Sequence, residues 1–93
     1  MKNLIKLKKT VTINGKEIKE VDLDFDKLTG EDMVKAEREA RSMGVAEGSV
    51  FASMKYQAIL CAKVIGCPVD DVLRLPGEDF KNLVRQAATF LLA

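Results

Sequence analysis

The dipeptide Asn14-Gly15 separates two segments in which apolar and polar residues alternate. Asn-Gly tolerates the two positive φ angles of a type I′ turn, which joins antiparallel strands through two residues. The apolar residues before the turn would share one face of a strand, because strand side chains alternate between faces: Ile5, Leu7, Val11 and Ile13. The sequence therefore predicts a β-hairpin over residues 1–26.

The second strand, predicted from Lys16 to about Phe25, contains a break in this alternation. Pairing that continues without interruption from the turn would place Leu7 opposite Asp22 and move the apolar set to the other face. One extra residue at Lys19-Glu20 would restore the pattern, so we predict a β-bulge there. The resulting pairs would be Leu7 with Leu23, Ile5 with Phe25, Lys8 with Asp22 and Lys6 with Asp24.

From Leu28 onwards the apolar period lengthens to between three and four residues, which indicates helices. Start and stop signals predict a helix from Thr29 to Gly44, a second capped by Ser49 over about Val50 to Ile65, a short one at Pro68, and a last one over about Gly77 to Leu92. The second helix is apolar over most of its circumference, which predicts a central position. The predicted fold class is α+β: an N-terminal β-hairpin followed by a small bundle of three main helices and one short helix.

Length and charge limit the function classes. Ninety-three residues suit a single domain over 1–93, with the hairpin in 1–26 and the helical part in 29–93. Fifteen Lys and Arg against fourteen Asp and Glu leave a net charge of +1. This balance does not predict nucleic acid or a membrane as a partner. No segment reads as a signal peptide or a membrane span, so we expect a cytoplasmic protein.

Residues for catalysis are scarce. The chain has no histidine, so the usual serine or cysteine triads are excluded. Cys61 and Cys67 alone do not complete a tetrahedral zinc site, and we expect free thiols. Three acidic pairs lie in the first turns of predicted helices, where the positive end of the helix dipole stabilises negative charge: Glu31-Asp32, Asp70-Asp71 and Glu78-Asp79. We predict no catalytic, cofactor-binding or metal-binding residues and no enzyme.

Two surfaces are candidates for binding. Lysines concentrate in the hairpin, but no aromatic residue stands among them for stacking on bases, so a nucleic-acid-binding regulator is an alternative rather than the main hypothesis. At the end of the last helix Leu91 fits the core face, whereas Phe90 and Leu92 point in other directions. These two residues either complete the core or form a patch for a partner. They are the predicted partner-binding residues.

The order of motifs resembles the tail assembly chaperones of long-tailed bacteriophages and prophages, in the broad Mu-like and lambdoid class. The resemblance rests on these segments: Val11-Thr12-Ile13-Asn14-Gly15-Lys16, Leu28-Thr29-Gly30-Glu31-Asp32, Ala36-Glu37-Arg38-Glu39-Ala40, Tyr56-Gln57-Ala58, Gly66-Cys67-Pro68-Val69-Asp70-Asp71-Val72-Leu73, Leu75-Pro76-Gly77-Glu78-Asp79-Phe80 and Phe90-Leu91. Together they cover nearly the whole chain. The two cysteines are not a feature of that family.

The resemblance implies a non-enzymatic chaperone that works in the host bacterial cytoplasm and is absent from the mature virion. Such proteins bind the tape measure protein, keep it soluble and help to recruit the tail tube protein, and many also exist in a longer, frameshifted form. A structural tail component retained in the virion is a further alternative. The sequence is compatible with a homo-oligomer and does not identify the surface that binds the client.

Overall fold

A β-hairpin and four helices follow one another in a computed structural model that describes residues 3–46 and 50–92. The elements are β1 (Leu4–Ile13), β2 (Lys16–Asp22), a first 3-10 turn (Phe25–Lys27), α1 (Gly30–Ser42), a second 3-10 turn (Val50–Ala52), α2 (Met54–Ile65), α3 (Val69–Leu73) and α4 (Gly77–Leu92). This order confirms the predicted α+β class, with three main helices and one short one. Buried side chains from the hairpin and from every helix belong to one core cluster.

The hairpin turns at the predicted dipeptide. Asn14 has φ +54° and Gly15 has φ +76°, so both residues take the left-handed conformation of a type I′ turn. Ile13 pairs with Lys16 directly beside the turn. The turn type is therefore set by two adjacent residues that tolerate positive φ.

The register of the hairpin breaks, but in the other strand. Val11–Ile13 pair with Lys16–Ile18, and Leu4–Lys6 pair with Glu20–Asp22, so the four residues Leu7–Thr10 of β1 lie opposite Lys19 alone. The predicted extra residue at Lys19-Glu20 of β2 is wrong: the surplus residues are in β1.

The predicted cross-strand partners change with this register. Ile5 lies opposite Val21 rather than Phe25, and Lys6 lies opposite Glu20 rather than Asp24. The Lys8 ammonium approaches Glu78 to 3.4 Å instead of meeting Asp22. Leu7 and Leu23 are nevertheless both buried, so the reason for expecting an irregular register holds: it keeps both apolar sets in the core.

Two aspartates from the helical part hold the irregular strand. The backbone N–H of Lys8 donates to Asp79 Oδ1 at 2.8 Å, and the N–H of Lys9 donates to Asp79 Oδ2 at 3.3 Å. Near the turn, the N–H of Asn14 donates to Asp71 Oδ2 at 3.0 Å. Asp79 is only 2% exposed, so its carboxylate depends on these donors. The surplus residues lie in β1 because α4 supplies the acceptors there.

The prolines before α3 and α4 explain why Asp71 and Asp79 are available to accept hydrogen bonds from outside their own helices. The second residue of each acidic pair is the third residue of its helix: Asp32, Asp71 and Asp79. In α1, Asp32 accepts the N–H of the N-cap Thr29 at 2.9 Å and completes a capping box. The residue before α3 is Pro68 and the residue before α4 is Pro76, and neither has an N–H to donate. The equivalent carboxylates therefore accept hydrogen bonds from the hairpin instead, Asp79 from β1 and Asp71 from the turn.

The helix boundaries follow the sequence signals with one exception. α1 ends before Gly44 and α4 spans Gly77–Leu92, as predicted. α2 begins at Met54 rather than about Val50, because the Oγ of Ser53 accepts the N–H of Tyr56 at 3.4 Å and caps the helix there. The predicted cap, Ser49, lies outside the described residues.

α2 occupies the centre of the fold. It contacts α1, α3, α4 and β2, and every residue from Tyr56 to Ala62 is buried. Leu60 and Cys61 are fully enclosed. The prediction that an almost wholly apolar helix lies at the centre of the bundle is confirmed.

Candidate functional site

The C-terminal end of α4 carries the two predicted partner-binding residues, and the structure places them differently. The Phe90 ring is partly buried and stacks on Phe25, with ring centroids 5.2 Å apart and an interplanar angle of 14°. Leu92 is 75% exposed. Phe90 therefore holds the first 3-10 turn against α4, whereas Leu92 presents its side chain to solvent.

A second exposed apolar group lies at the start of α2. Phe51 in the second 3-10 turn is 39% exposed, and Met54 is 61% exposed. The Phe51 ring stacks on Tyr56 with centroids 5.7 Å apart. Gln57 Nε2 donates to the carbonyl of Phe51 at 2.8 Å. The turn is thus held to α2 by its backbone and by a ring contact; Val50 is buried in the core, whereas Phe51 keeps an exposed face.

The buried side chain of Tyr56 connects this turn to α1. Its hydroxyl donates to the carbonyl of Met33 in α1 at 3.2 Å. Burial, and then the nearby Glu37, raise the pKa of the Tyr56 phenol above its ordinary value. The neutral hydroxyl therefore stays a donor, and the ring under Phe51 is fixed to two helices.

Two contacts bring these groups to the same end of the molecule. Cys61 Sγ donates to the carbonyl of Leu83 at 3.4 Å, which fixes where α2 crosses α4. The second 3-10 turn, just before α2, also packs against α4. If α4 ran parallel to α2, only its segment from Gly77 to Leu83 would extend towards that turn. At about 1.5 Å per residue this segment is too short to reach it. The helices are therefore antiparallel, and the turn lies beside the C-terminal end of α4.

We call this surface the apolar end and define it by Phe51, Met54 and Leu92. Sequence reasoning found Leu92 but not the other two residues. The missed signal was Ser53, which caps α2 and leaves the preceding segment outside the helix. Exposed apolar side chains on a rigid frame bind the apolar face of a partner; they offer no group for acid–base or covalent chemistry.

The basic hairpin surface is partly neutralised. Lys8 and Lys81 both pair with Glu78, at 3.4 and 3.1 Å. The hydrogen bonds from Lys81 and then Lys8 lower the pKa of the Glu78 carboxyl. Beside this cluster a groove of about 610 Å³ is lined by Lys6, Leu7, Lys8, Ile18, Lys19 and Glu20. The lining contains no aromatic ring, so the stacking that single-stranded nucleic acids require has no platform here.

The thiols do not form a reactive pair. Cys61 and Cys67 are both free. Burial raises the pKa of Cys61 to about 12 and that of Cys67 to about 11, so both are protonated at neutral pH. Within residues 3–46 and 50–92, no group of three histidine, cysteine or acidic side chains could hold a metal ion. In the same part of the chain, no helix is long and apolar enough to cross a membrane.

Comparison with known proteins assigns the whole arrangement to one family. The model of the family described as "Phage tail assembly chaperone proteins, E, or 41 or 14" matches residues 4–92. The match runs from the first residue of β1 to the last residue of α4. Neither a curated protein nor a solved structure shows significant similarity to the chain.

Proposed function

The chain belongs to the family of phage tail assembly chaperone proteins, and we propose that it binds the tape measure protein, keeps it soluble and helps to recruit tail tube subunits. The observation that supports this client is the apolar end. A long helical client exposes apolar stripes that self-associate unless another apolar surface covers them. Phe51, Met54 and Leu92 are that kind of surface, on helices that are fixed by the core.

The proposed binding mode needs only modest affinity at each site. Three exposed side chains bury less area than a standard protein–protein interface. A long client with a repeated apolar stripe binds many copies of a small chaperone side by side, and contacts between those copies add avidity. Phe90, two residues before Leu92 in sequence, contributes through the exposed part of its ring.

The test is the solubility of the client. The tape measure protein of the same phage or prophage is expressed with the wild-type chain and with Met54→Ser and Leu92→Ser, alone and combined. Both side chains point to solvent, so circular dichroism and thermal unfolding should match the wild type. The fraction of tape measure protein in the supernatant should fall with each change and fall furthest with both.

Val34→Ser is the matched control. Val34 is also a largely exposed aliphatic residue, but it belongs to α1, which contributes no residue to the apolar end. Client solubility equal to the wild type in the Met54→Ser/Leu92→Ser variant would contradict the proposal. An equal loss with Val34→Ser would show general surface stickiness instead of a defined site.

The place of action follows from the same proposal. A chaperone that acts while the tail is built works in the host bacterial cytoplasm and leaves before the particle is complete. Mass spectrometry of purified virions should therefore detect the major tail proteins but not this chain. Its recovery in stoichiometric amount would identify a structural tail component.

A further inference from the structure

The outer edge of β2 is open. The sheet has only the strands β1 and β2 in the part of the chain that the structure describes. On the β1 side, Asp79 accepts the backbone N–H groups of Lys8 and Lys9, and Asp71 accepts that of Asn14 in the turn. No described residue outside the hairpin donates to or accepts from the β2 backbone between Lys16 and Asp22. An edge of this kind is a template for another strand.

The charges along this edge are self-complementary. The central residues of β2 read Lys16-Glu17-Ile18-Lys19-Glu20. If two copies of the strand pair antiparallel about Ile18, Lys16 lies opposite Glu20 and Glu17 lies opposite Lys19. Each pair occurs twice because of the two-fold axis, so every charged residue in the segment meets an opposite charge.

Neighbouring registers lose this match. Centring the two-fold pair on Glu17 places Glu17 opposite its own counterpart. Centring it on Lys19 places Lys19 opposite its own counterpart. Like charges directly opposite one another destabilise a sheet, and opposite charges stabilise it, so the pattern selects one register.

The direction of the backbone hydrogen-bonding groups along β2 favours the same register. In a hairpin with a two-residue turn, the residues beside the turn form a hydrogen-bonded pair, here Ile13 and Lys16. Hydrogen-bonded positions alternate, so the N–H and C=O groups of Glu17 and Lys19 point away from β1. These are the residues that the charge register places opposite each other. The charges and the backbone donors and acceptors therefore select the same alignment.

We propose that a second copy of this chain pairs with the β2 edge, so that two hairpins form one four-stranded antiparallel sheet with a two-fold axis at Ile18. Such an interface is isologous, since each copy offers the same segment. Ile18 is half-buried in the monomer and would face its counterpart across the axis. The interface uses none of the residues that define the apolar end, so different variants test dimerisation and client binding.

Charge reversal at two positions tests the register. Lys19→Glu leaves Glu17 opposite a glutamate, and Glu17→Lys leaves Lys19 opposite a lysine, so each variant should weaken dimerisation by about tenfold or more. The double variant Glu17→Lys/Lys19→Glu restores opposite charges and should dimerise like the wild type. A mixture of the two single variants should form a heterodimer, although neither associates alone.

Sedimentation velocity and light scattering over a concentration series measure these outcomes, and circular dichroism verifies that each variant is folded. Arg38→Glu is the control for net charge, because Arg38 is an exposed residue of α1 without an ion pair among the described residues. It should dimerise like the wild type.

A cross-link provides a second readout. Ile18 would be a non-hydrogen-bonded pair with its own counterpart, with Cα atoms about 4.5 Å apart, which suits a disulfide. Ile18→Cys in a Cys67→Ser background should therefore form a covalent dimer on mild oxidation, and Glu31→Cys in the same background should not. A wild-type chain that stays monomeric throughout the series would overturn the proposal, and so would dimerisation unaffected by both single reversals or a double variant that is not restored.

Discussion

Asp79 joins the last helix to the first strand: its Oδ1 accepts the backbone N–H of Lys8 at 2.8 Å, across 71 residues of sequence. The carboxylate is buried in the first turn of α4, where the helix dipole also favours its negative charge. It replaces the cross-strand acceptors that the irregular part of β1 lacks. The hairpin register is thus fixed from outside the hairpin.

Removing the Asp79 carboxylate should lower the free energy of unfolding. Asp79→Ala leaves the N–H groups of Lys8 and Lys9 without an acceptor, so we expect a loss of about 1–3 kcal/mol in the free energy of unfolding, measured by urea denaturation. Glu78→Ala is the control, since that side chain is exposed and forms only surface ion pairs; its effect should be much smaller. Equal losses in the two variants would show that Asp79 does not hold the strand.

The stacked rings of Phe25 and Phe90 should be energetically coupled. Replacing Phe90 by alanine should lower the free energy of unfolding by about 2–4 kcal/mol, because its ring is only partly covered, and replacing the buried Phe25 should lower it by about 3–5 kcal/mol. The double variant should reveal a coupling of about 0.5–1.5 kcal/mol. Leu92→Ser should change stability by less than about 0.5 kcal/mol. Strictly additive losses at Phe25 and Phe90 would contradict the stacking contact.

The centre of α2 should tolerate truncation poorly. Ile59→Ala removes a side chain that is 1% exposed, and we expect a loss of about 2–5 kcal/mol from the lost burial and the cavity. Val34→Ala, on the exposed face of α1, should cost less than about 0.5 kcal/mol. An Ile59→Ala loss below about 1 kcal/mol in denaturant unfolding would place the residue against a loose interface rather than in a packed core.

The capping box of α1 should make part of the stability dependent on pH. The hydrogen bond from the Thr29 backbone N–H, and then that with its hydroxyl, lower the pKa of Asp32 below its ordinary value. A carboxyl with a lowered pKa stabilises the fold above its unfolded pKa, and this contribution disappears as the pH falls through the folded value. The difference in urea midpoint between the wild type and Asp32→Asn should therefore be largest near neutral pH and shrink below about pH 4. A gap that stays constant down to about pH 2 would contradict this assignment.

Features fixed by near neighbours could be predicted from the sequence. The Asn14-Gly15 turn and the Thr29–Asp32 capping box depend on interactions within about four residues, so local residue types decide them. The alternation of β1 and β2 also showed that the register must break. Leu92 was identified as a side chain that leaves the core face of α4.

Features fixed by distant residues could not be predicted. The position of the surplus residues depends on Asp79, which is far from β1 in sequence. The start of α2 depended on a choice between two serines, and periodicity does not distinguish Ser49 from Ser53. Helical periodicity also does not show that Phe25 reaches Phe90, so the different placement of Phe90 and Leu92 came only from the structure.

The use of Asp79 to fix β1 also has a consequence during synthesis. The ribosome makes the hairpin first, and the two strands become available long before α4 exists. Until Asp79 emerges, the backbone of Lys8 and Lys9 has no protein acceptor, and the strands are free to sample other alignments. The nascent hairpin therefore acquires its final alignment only when α4 docks, which makes folding dependent on the long-range contact between β1 and α4.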